Sequence, residues 1–255
     1  HKIESQIAFI DLHDIIHIKK INKKSHSIKF YGKFSAGISK NNTIFRLLKI
    51  LDKRNLLKGR KYSIIINKKI PQKSGMGGGS MNAASILKFF LIKKIFFLKK
   101  KEIENISNLI GSDVPVGLDN RNSIILSTGQ IKRVNKRLRL FLLIAKPSIG
   151  CSTKIVYKNV KKFSKSNLSN NNFNFKLKNL MKLKNDLENV AIKKYPILSS
   201  LKKSLVELPG VKFVRMTGSG STFIAYFISK KAAINAAKLF KSKSNNYWSI
   251  VSKTI

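Results

Sequence analysis

Four glycines fall within five residues, 75–79, inside the stretch Pro71 to Ser85 (PQKSGMGGGSMNAAS). Each glycine costs backbone entropy on folding. Such a cluster therefore belongs where the chain must turn left-handed or come very close to another group. It lies between an isoleucine-rich run that predicts a strand over Tyr62 to Asn67 and an apolar periodicity that predicts a helix from about Ser80 to Leu98. A strand, a glycine turn and a helix N-terminus together present amides and a partial positive charge to an anion, which points to a phosphate cradle. No lysine follows the last glycine, so the loop is not a P-loop. Ser80 stands where a dinucleotide fingerprint needs its third glycine. A flexible turn that binds nothing would need one or two glycines, not four.

Two further segments carry chemistry. GSDVPVGL, Gly111 to Leu118, places Asp113 between Ser112 and an apolar Val-Pro, whereas Asp52, Glu102, Glu104 and Glu207 lie in charged, surface-like runs. An aspartate so placed can take a proton from a hydroxyl or can cap a turn, and the residues alone leave both readings open. MTGSGSTF, Met216 to Phe223, is a small-residue turn that either closes over phosphates or links a hairpin.

Strands and helices alternate along both halves, which predicts an α+β protein of two lobes meeting near residue 136. Loose alternation from Ile7 to Phe30 predicts antiparallel strands joined by a turn at Asn22 to Ser25. Asn42 or Thr43 should cap a helix carrying Ile44, Leu47, Leu48 and Leu51. A second helix is expected over Lys101 to Ile110, and Thr128 to Arg139 reads as a polar stretch. Buried strands are expected at Leu140 to Ala145, Phe213 to Thr217 and Phe223 to Ile228, with a helix at Ala232 to Phe240. The Ser- and Asn-rich run Ser164 to Asn174 reads as a long surface loop.

The formal charge is +41, which attracts polyanions without sequence preference. Yet 44 of the 52 basic residues are lysine, spread along the whole chain, while nucleic-acid surfaces favour clustered arginine. A basic RNA-binding protein is thus the competing reading, and the glycine loop argues against it. Apolar runs broken by lysine fall short of the roughly 18 residues of a membrane span. The single cysteine, Cys151, makes no internal disulfide, so a cytoplasmic protein is expected. His13 and His17 stand four apart, but isoleucines around them favour a strand, and no metal site is expected.

The glycine loop and Gly218 to Gly220 resemble the second and third signatures of the galactokinase, homoserine kinase, mevalonate kinase and phosphomevalonate kinase (GHMP) superfamily. Asp113 in GSDVP, the triple glycine before Ser80, NDLENVAIKKYP (Asn185 to Pro196) and PSIGCSTKIVYK (Pro147 to Lys158) are further similar to one branch of it. That branch phosphorylates the 2-hydroxyl of a cytidylated methylerythritol in the non-mevalonate route to isoprenoids. Homoserine and mevalonate kinases are the alternatives within the superfamily. The resemblance implies the two-lobed GHMP fold, with an N-terminal ATP-binding lobe over 1–135 and a C-terminal ferredoxin-like lobe over 136–255. It implies ATP and Mg²⁺, a small-molecule substrate, and neither a specific nucleic acid nor a membrane as partner. Pro71, Gly75, Met76, Gly77, Gly78, Gly79 and Ser80 would hold ATP phosphates, and Asn42 would lie near the adenine. Asp113 would be the base. Tyr157 would stack on cytosine with Thr153 nearby, His1 would contact that base, and Gly218, Ser219 and Gly220 would close on the substrate. Three departures stand out. The family's first signature, with its catalytic lysine, would lie ahead of His1, so this chain alone is expected to turn over poorly while its full-length parent is active. Met81 replaces a second serine. Val116 and Gly117 replace an aromatic pair, which predicts looser packing beneath the base.

Overall fold

The computed structural model describes residues 4–135, 138–164 and 176–255. Packing divides the chain into two interleaved units. One comprises residues 13–72 and 77–120 (the N-terminal unit), the other residues 1–12, 73–76 and 121–255 (the C-terminal unit). By packing, residues 4–12, 73–76 and 121–135 group with the C-terminal half.

A strand β1 (Ser5–Ile7) opens the described chain. The N-terminal unit then supplies β2 (Ile15–Ile21), β3 (Ser27–Tyr31), α1 (Thr43–Lys53), β4 (Lys61–Asn67), α2 (Gly78–Ile92), α3 (Lys100–Ile110) and α4 (Val114–Gly117). Its sheet has the order β2-β4-β3, with β2 antiparallel and β3 parallel to β4. The expected pairing of β2 with β3 across Asn22 to Ser25 does not occur, because β4 enters between them. The reason is hydrophobic: β4 buries Tyr62, Ile64 and Ile66 and takes the centre, while β2 and β3, carrying Lys19, Lys20 and Lys29, take the edges.

Asn42 is the N-cap of α1, its Oδ1 accepting from the amides of Ile44 and Phe45 at 3.0 and 3.1 Å. Such a cap stabilises a helix by about 1 kcal/mol. Ile44, Leu47, Leu48 and Leu51 face the core as the spacing predicts. Helix α2 stops at Ile92, short of the expected Leu98. Lys94 adopts a left-handed φ of 51°, and the Ile95 amide bonds back to the Phe90 carbonyl, a closure that ends the helix and turns the chain away. The Asp14 side chain is fully buried and accepts from the Lys68 ammonium, the amides of Lys69 and Ile70, and Asn82 Nδ2. A carboxylate with four donors locks the start of β2, the end of β4 and α2 together, immediately before Pro71.

The C-terminal unit contributes β5 (Asn122–Ile125), β6 (Ile131–Val134), β7 (Phe141–Pro147), α5 (Thr153–Lys158), α6 (Leu177–Lys182), α7 (Asp186–Lys194), α8 (Ile197–Val206), β8 (Phe213–Met216), β9 (Phe223–Phe227), α9 (Lys230–Lys243) and β10 (Tyr247–Lys253). Strands β1, β5 and β6 form one antiparallel sheet, so the polar stretch from Thr128 contains a strand. The other sheet has the antiparallel order β10-β7-β9-β8. With helices after β7 and β9, that is the ferredoxin-like arrangement. Strand β7 is buried on both faces. Leu143 and Ala145 pack with helix residues such as Val156, Leu201 and Phe240, and Leu142 and Ile144 face a second cluster with Met76 and Leu180. This two-sided burial explains its unbroken apolar run. Most of the expected loop Ser164 to Asn174 lies outside the described residues.

Candidate active site

The glycine loop changes unit between Met76 and Gly77. On the N-terminal side Gly77 is the N-cap of α2 with φ 66°, a left-handed conformation that glycine adopts without strain. The Thr43 hydroxyl donates to the Gly79 carbonyl at 2.7 Å, which fixes the first turn of α2 against the start of α1. Gly78, Gly79 and Ser80 thus begin a helix whose first amides have no side-chain cap, the arrangement that suits an anion. Pro71 is buried just before the loop. Asn42, expected near adenine, spends its amide on its own loop, donating to Ser39 O at 2.9 Å besides capping α1.

Asp113 belongs to the same unit, at the head of α4. A Cβ built on Gly77 would lie 3.7 Å from Asp113 Oδ2, so the carboxylate stands beside the mouth of the cradle. It caps no amide, and among the described residues it has no hydrogen-bond or ion-pair partner. Solvent reaches the residue, yet desolvation by the surrounding protein pushes its pKa above the ordinary aspartate value. The turn-capping alternative is thereby removed, and a carboxylate available to accept a proton remains.

Beneath Asp113 the expected looseness is absent. Val114, Pro115, Val116 and Gly117 are all buried, and a Cβ on Gly117 would meet Met81 Sδ at 2.9 Å and Ala84 Cβ at 2.7 Å. The two departures from the family pattern compensate one another, since the Met81 side chain occupies the volume above Gly117.

In the C-terminal unit two glycine segments touch backbone to backbone. Gly75 has φ 72°, and a Cβ there would lie 2.1 Å from the Thr217 carbonyl oxygen; a Cβ on Gly218, with φ 52°, would lie 2.8 Å from Gly75 O. Thr217 Oγ1 donates to Gly75 O at 3.1 Å. Met76 packs its side chain against the cluster with Leu140 and Ile144. The third motif is held from behind by residues that sequence reasoning gave no role. Asn185 Nδ2 donates to Met216 O and Gly218 O, both at 2.8 Å, and Glu188 Oε2 accepts from the Met216 amide at 2.8 Å. Their signal was the NDLEN segment itself, which puts a cap and a first-turn acid at the start of a helix.

The segment after β7 meets the third motif through side chains. Thr153 Oγ1 and Ser219 Oγ are 2.8 Å apart, and Ser221 Oγ donates to Ile149 O at 2.7 Å. The buried Lys146 ammonium donates to the same Ile149 carbonyl and to Pro147 O. Gly220, with φ 86°, lies against Cys151 and Met216. Burial pushes the Cys151 thiol up to about 11, so it stays protonated at neutral pH and is no nucleophile. Tyr157 sits half-buried on α5 at the edge of the helix core. His1 lies outside the described residues. No group of three or more His, Cys, Asp or Glu that could hold a metal ion occurs among the described residues.

Comparison with known proteins identifies the family. The GHMP kinases N terminal domain model matches residues 42–126, and the GHMP kinases C terminal model matches residues 170–244. A 4-diphosphocytidyl-2-C-methyl-D-erythritol kinase of Pelagibacter ubique is 52% identical over all of this chain and 91% of its own length. One from Clostridium perfringens is 30% identical, covering 95% of this chain and 86% of its own. Among solved structures, a 4-(cytidine 5'-diphospho)-2C-methyl-D-erythritol kinase superposes with a TM-score of 0.75 at 21% identity, covering 99% of this chain and 90% of that one. The mevalonate kinase of L. major in complex with R-mevalonate gives 0.73 at 16% identity, covering 98% and 89%. At those identities the two structures speak to the fold alone.

Proposed function

The chain belongs to the GHMP kinase family, on its 4-diphosphocytidyl-2-C-methyl-D-erythritol kinase branch, and we propose from that footing which of its residues perform the reaction. It is an ATP-dependent alcohol kinase: the γ-phosphoryl of ATP passes to the 2-hydroxyl of 4-(cytidine 5'-diphospho)-2-C-methyl-D-erythritol, a step in the non-mevalonate supply of isoprenoid precursors. The observation that carries the assignment of roles is the unpartnered Asp113 carboxylate beside Gly77 at the N-terminus of α2.

Phosphoryl transfer asks little covalent chemistry of a protein and much positioning and charge stabilisation. The amides from Gly77 to Ser80, on the positive end of α2, bind the polyphosphate, and Gly75 and Met76 continue the cradle through their backbone. Asp113 orients the attacking hydroxyl and takes its proton as the new O–P bond forms. Its raised pKa brings its basicity closer to the working pH. Asn42 shapes the nucleotide side through the loop that it caps. Tyr157 offers a ring for the cytosine to stack on, Thr153 and Ser219 present hydroxyls beside it, and Gly218 and Gly220 let the backbone approach. Mg²⁺ arriving with the nucleotide would neutralise phosphate charge at the cradle that Gly77 to Ser80 form.

The test is a calorimetric titration of the whole gene product with cytidine 5'-diphosphate, then with Mg-ATP, at two salt concentrations. Saturable binding of both, with the cytidine compound lost in Tyr157→Ala, supports the reading. Tight, steeply salt-dependent binding of random RNA with neither nucleotide bound would return the protein to the basic RNA-binding class.

A further inference from the structure

Inside the C-terminal unit the third motif rests on the N-terminal end of α7. Asn185, the N-cap of that helix, uses both ends of its side-chain amide. Its Oδ1 accepts from the Leu187 amide at 3.0 Å, while Nδ2 donates to Met216 O and to Gly218 O, each at 2.8 Å. Glu188, paired through its other oxygen with the Lys202 ammonium at 2.6 Å, accepts from the Met216 amide. Within the turn the Thr217 amide donates to Thr222 O, and Thr217 O accepts from the Gly220 amide. From the Met216 amide to the Gly218 carbonyl, only the Gly218 amide is left without a partner among the described residues, and the Ser219 amide beyond it has none either. A trans peptide directs its carbonyl and the following amide to opposite sides. With Gly218 O drawn onto Asn185, the Ser219 N–H therefore points away from α7. Gly218, at φ 52°, tolerates either orientation of the peptide that follows it, so the local chain does not set that direction and Asn185 does. The far end of α7 reaches the same region: the hydroxyl of Tyr195, its C-cap, accepts from the amide of Ser152, the N-cap of α5, at 3.3 Å. One helix thus holds both the third motif and the start of α5, and the two meet where Thr153 Oγ1 lies 2.8 Å from Ser219 Oγ.

We infer that Asn185 is a positioning residue, which holds the Gly218–Ser219 peptide so that the Ser219 amide is presented to the diphosphate of the cytidylated alcohol. The inference rests on the kinase reading above and adds to it a residue that touches no substrate. A free N–H suits an anionic oxygen, and Ser219 stands beside Thr153 on the side of the unit that carries Tyr157. Loss of one hydrogen bond to a charged group corresponds to about a tenfold or larger change in affinity.

The experiment compares Asn185→Ser and Asn185→Asp in the whole gene product. Both replacements keep an oxygen that caps α7, and both lose the two hydrogens given to Met216 O and Gly218 O. Ala191→Gly is the control, because it weakens the same helix at a buried position and touches neither contact. Binding of cytidine 5'-diphosphate is measured by calorimetry, KM and kcat by steady-state kinetics, and Tm by thermal unfolding. Each Asn185 variant should weaken cytidine 5'-diphosphate and raise KM for the cytidylated alcohol by about tenfold, with kcat and KM for ATP within about twofold. Ala191→Gly should lower Tm and leave both KM values where they were. Cytidine 5'-diphosphate affinity within twofold of the parent in both Asn185 variants, an equal rise in the two KM values, or the same loss of affinity in Ala191→Gly overturns the positioning role. A parent that binds cytidine 5'-diphosphate but does not phosphorylate the alcohol would reject the kinase reading, and the calorimetric comparison would still decide the role of Asn185. A parent that binds no cytidine 5'-diphosphate overturns both.

Discussion

Replacing Asp113 by asparagine keeps the shape of the side chain and removes its ability to accept a proton. A positioned general base contributes about 10²- to 10⁴-fold, so kcat should fall by that factor, or about 2.7–5.4 kcal/mol of transition-state stabilisation at 1.36 kcal/mol per tenfold. Stability should move the other way. Desolvation raises the folded-state pKa of Asp113 above its unfolded value. Between those two values the folded state binds more protons than the unfolded state, so this group's contribution to stability is present at low pH and is lost as pH rises through the folded-state pKa. Above both, at neutral pH, the carboxylate is a net cost. Because it has no hydrogen-bond or ion-pair partner among the described residues, asparagine leaves no such contact broken. The assay is steady-state phosphorylation of the cytidylated alcohol across pH, alongside thermal unfolding at pH 7. The expected result is a kcat at least a hundredfold lower, loss of the acidic limb of the kcat/KM profile, and an equal or higher Tm. A variant within threefold of the parent rate, or one slowed only because it unfolds, refutes the assignment.

Three other outcomes follow from the packing. Gly75→Ala places a methyl 2.1 Å from the Thr217 carbonyl oxygen at a left-handed φ. It should cost about 2–5 kcal/mol in denaturant unfolding, and a loss below 1 kcal/mol would show that the two glycine segments are not seated on each other. Gly117→Ala should cost about 1–3 kcal/mol alone and less, though not nothing, in a Met81→Ser background, because the approach to Ala84 Cβ at 2.7 Å remains. A double-mutant cycle with no coupling would disprove the compensation between these residues. Tyr157→Ala should raise KM for the cytidylated alcohol about five- to 150-fold, the worth of one stacked base, with KM for ATP unmoved. An equal rise for both substrates would place the ring elsewhere.

How much of this was legible in the sequence depended on how local the cause was. The face of α1 and its Asn42 cap follow from spacing and one side chain, and both appear as read. The glycine loop announced a close approach, and the structure supplies its partners: the Thr217 carbonyl at Gly75 and the Asp113 carboxylate near Gly77. Pairing was not legible, because alternation fixes which residues share a face but not which strand lies alongside. Burial of Ile64 and Ile66 put β4 between β2 and β3. Helix α2 ended early because Lys94 took a backbone conformation usually left to glycine, a choice set by the surrounding closure. Compensation between Met81 and Gly117 also lay out of reach, since each residue read alone is only a missing hydroxyl or a missing ring. The roles of Asn185 and Glu188 emerge only when β8 is seen beside α7.

The most direct measurement of the central claim is phosphorus NMR of the reaction of the whole gene product with Mg-ATP and 4-(cytidine 5'-diphospho)-2-C-methyl-D-erythritol, followed beside parallel reactions with homoserine and mevalonate. The account predicts one new phosphomonoester signal, formed in equal amount with ADP, carried on the 2-oxygen of the cytidylated alcohol, and absent with the other two alcohols. ADP formed with homoserine or mevalonate but not with the cytidylated alcohol would contradict it.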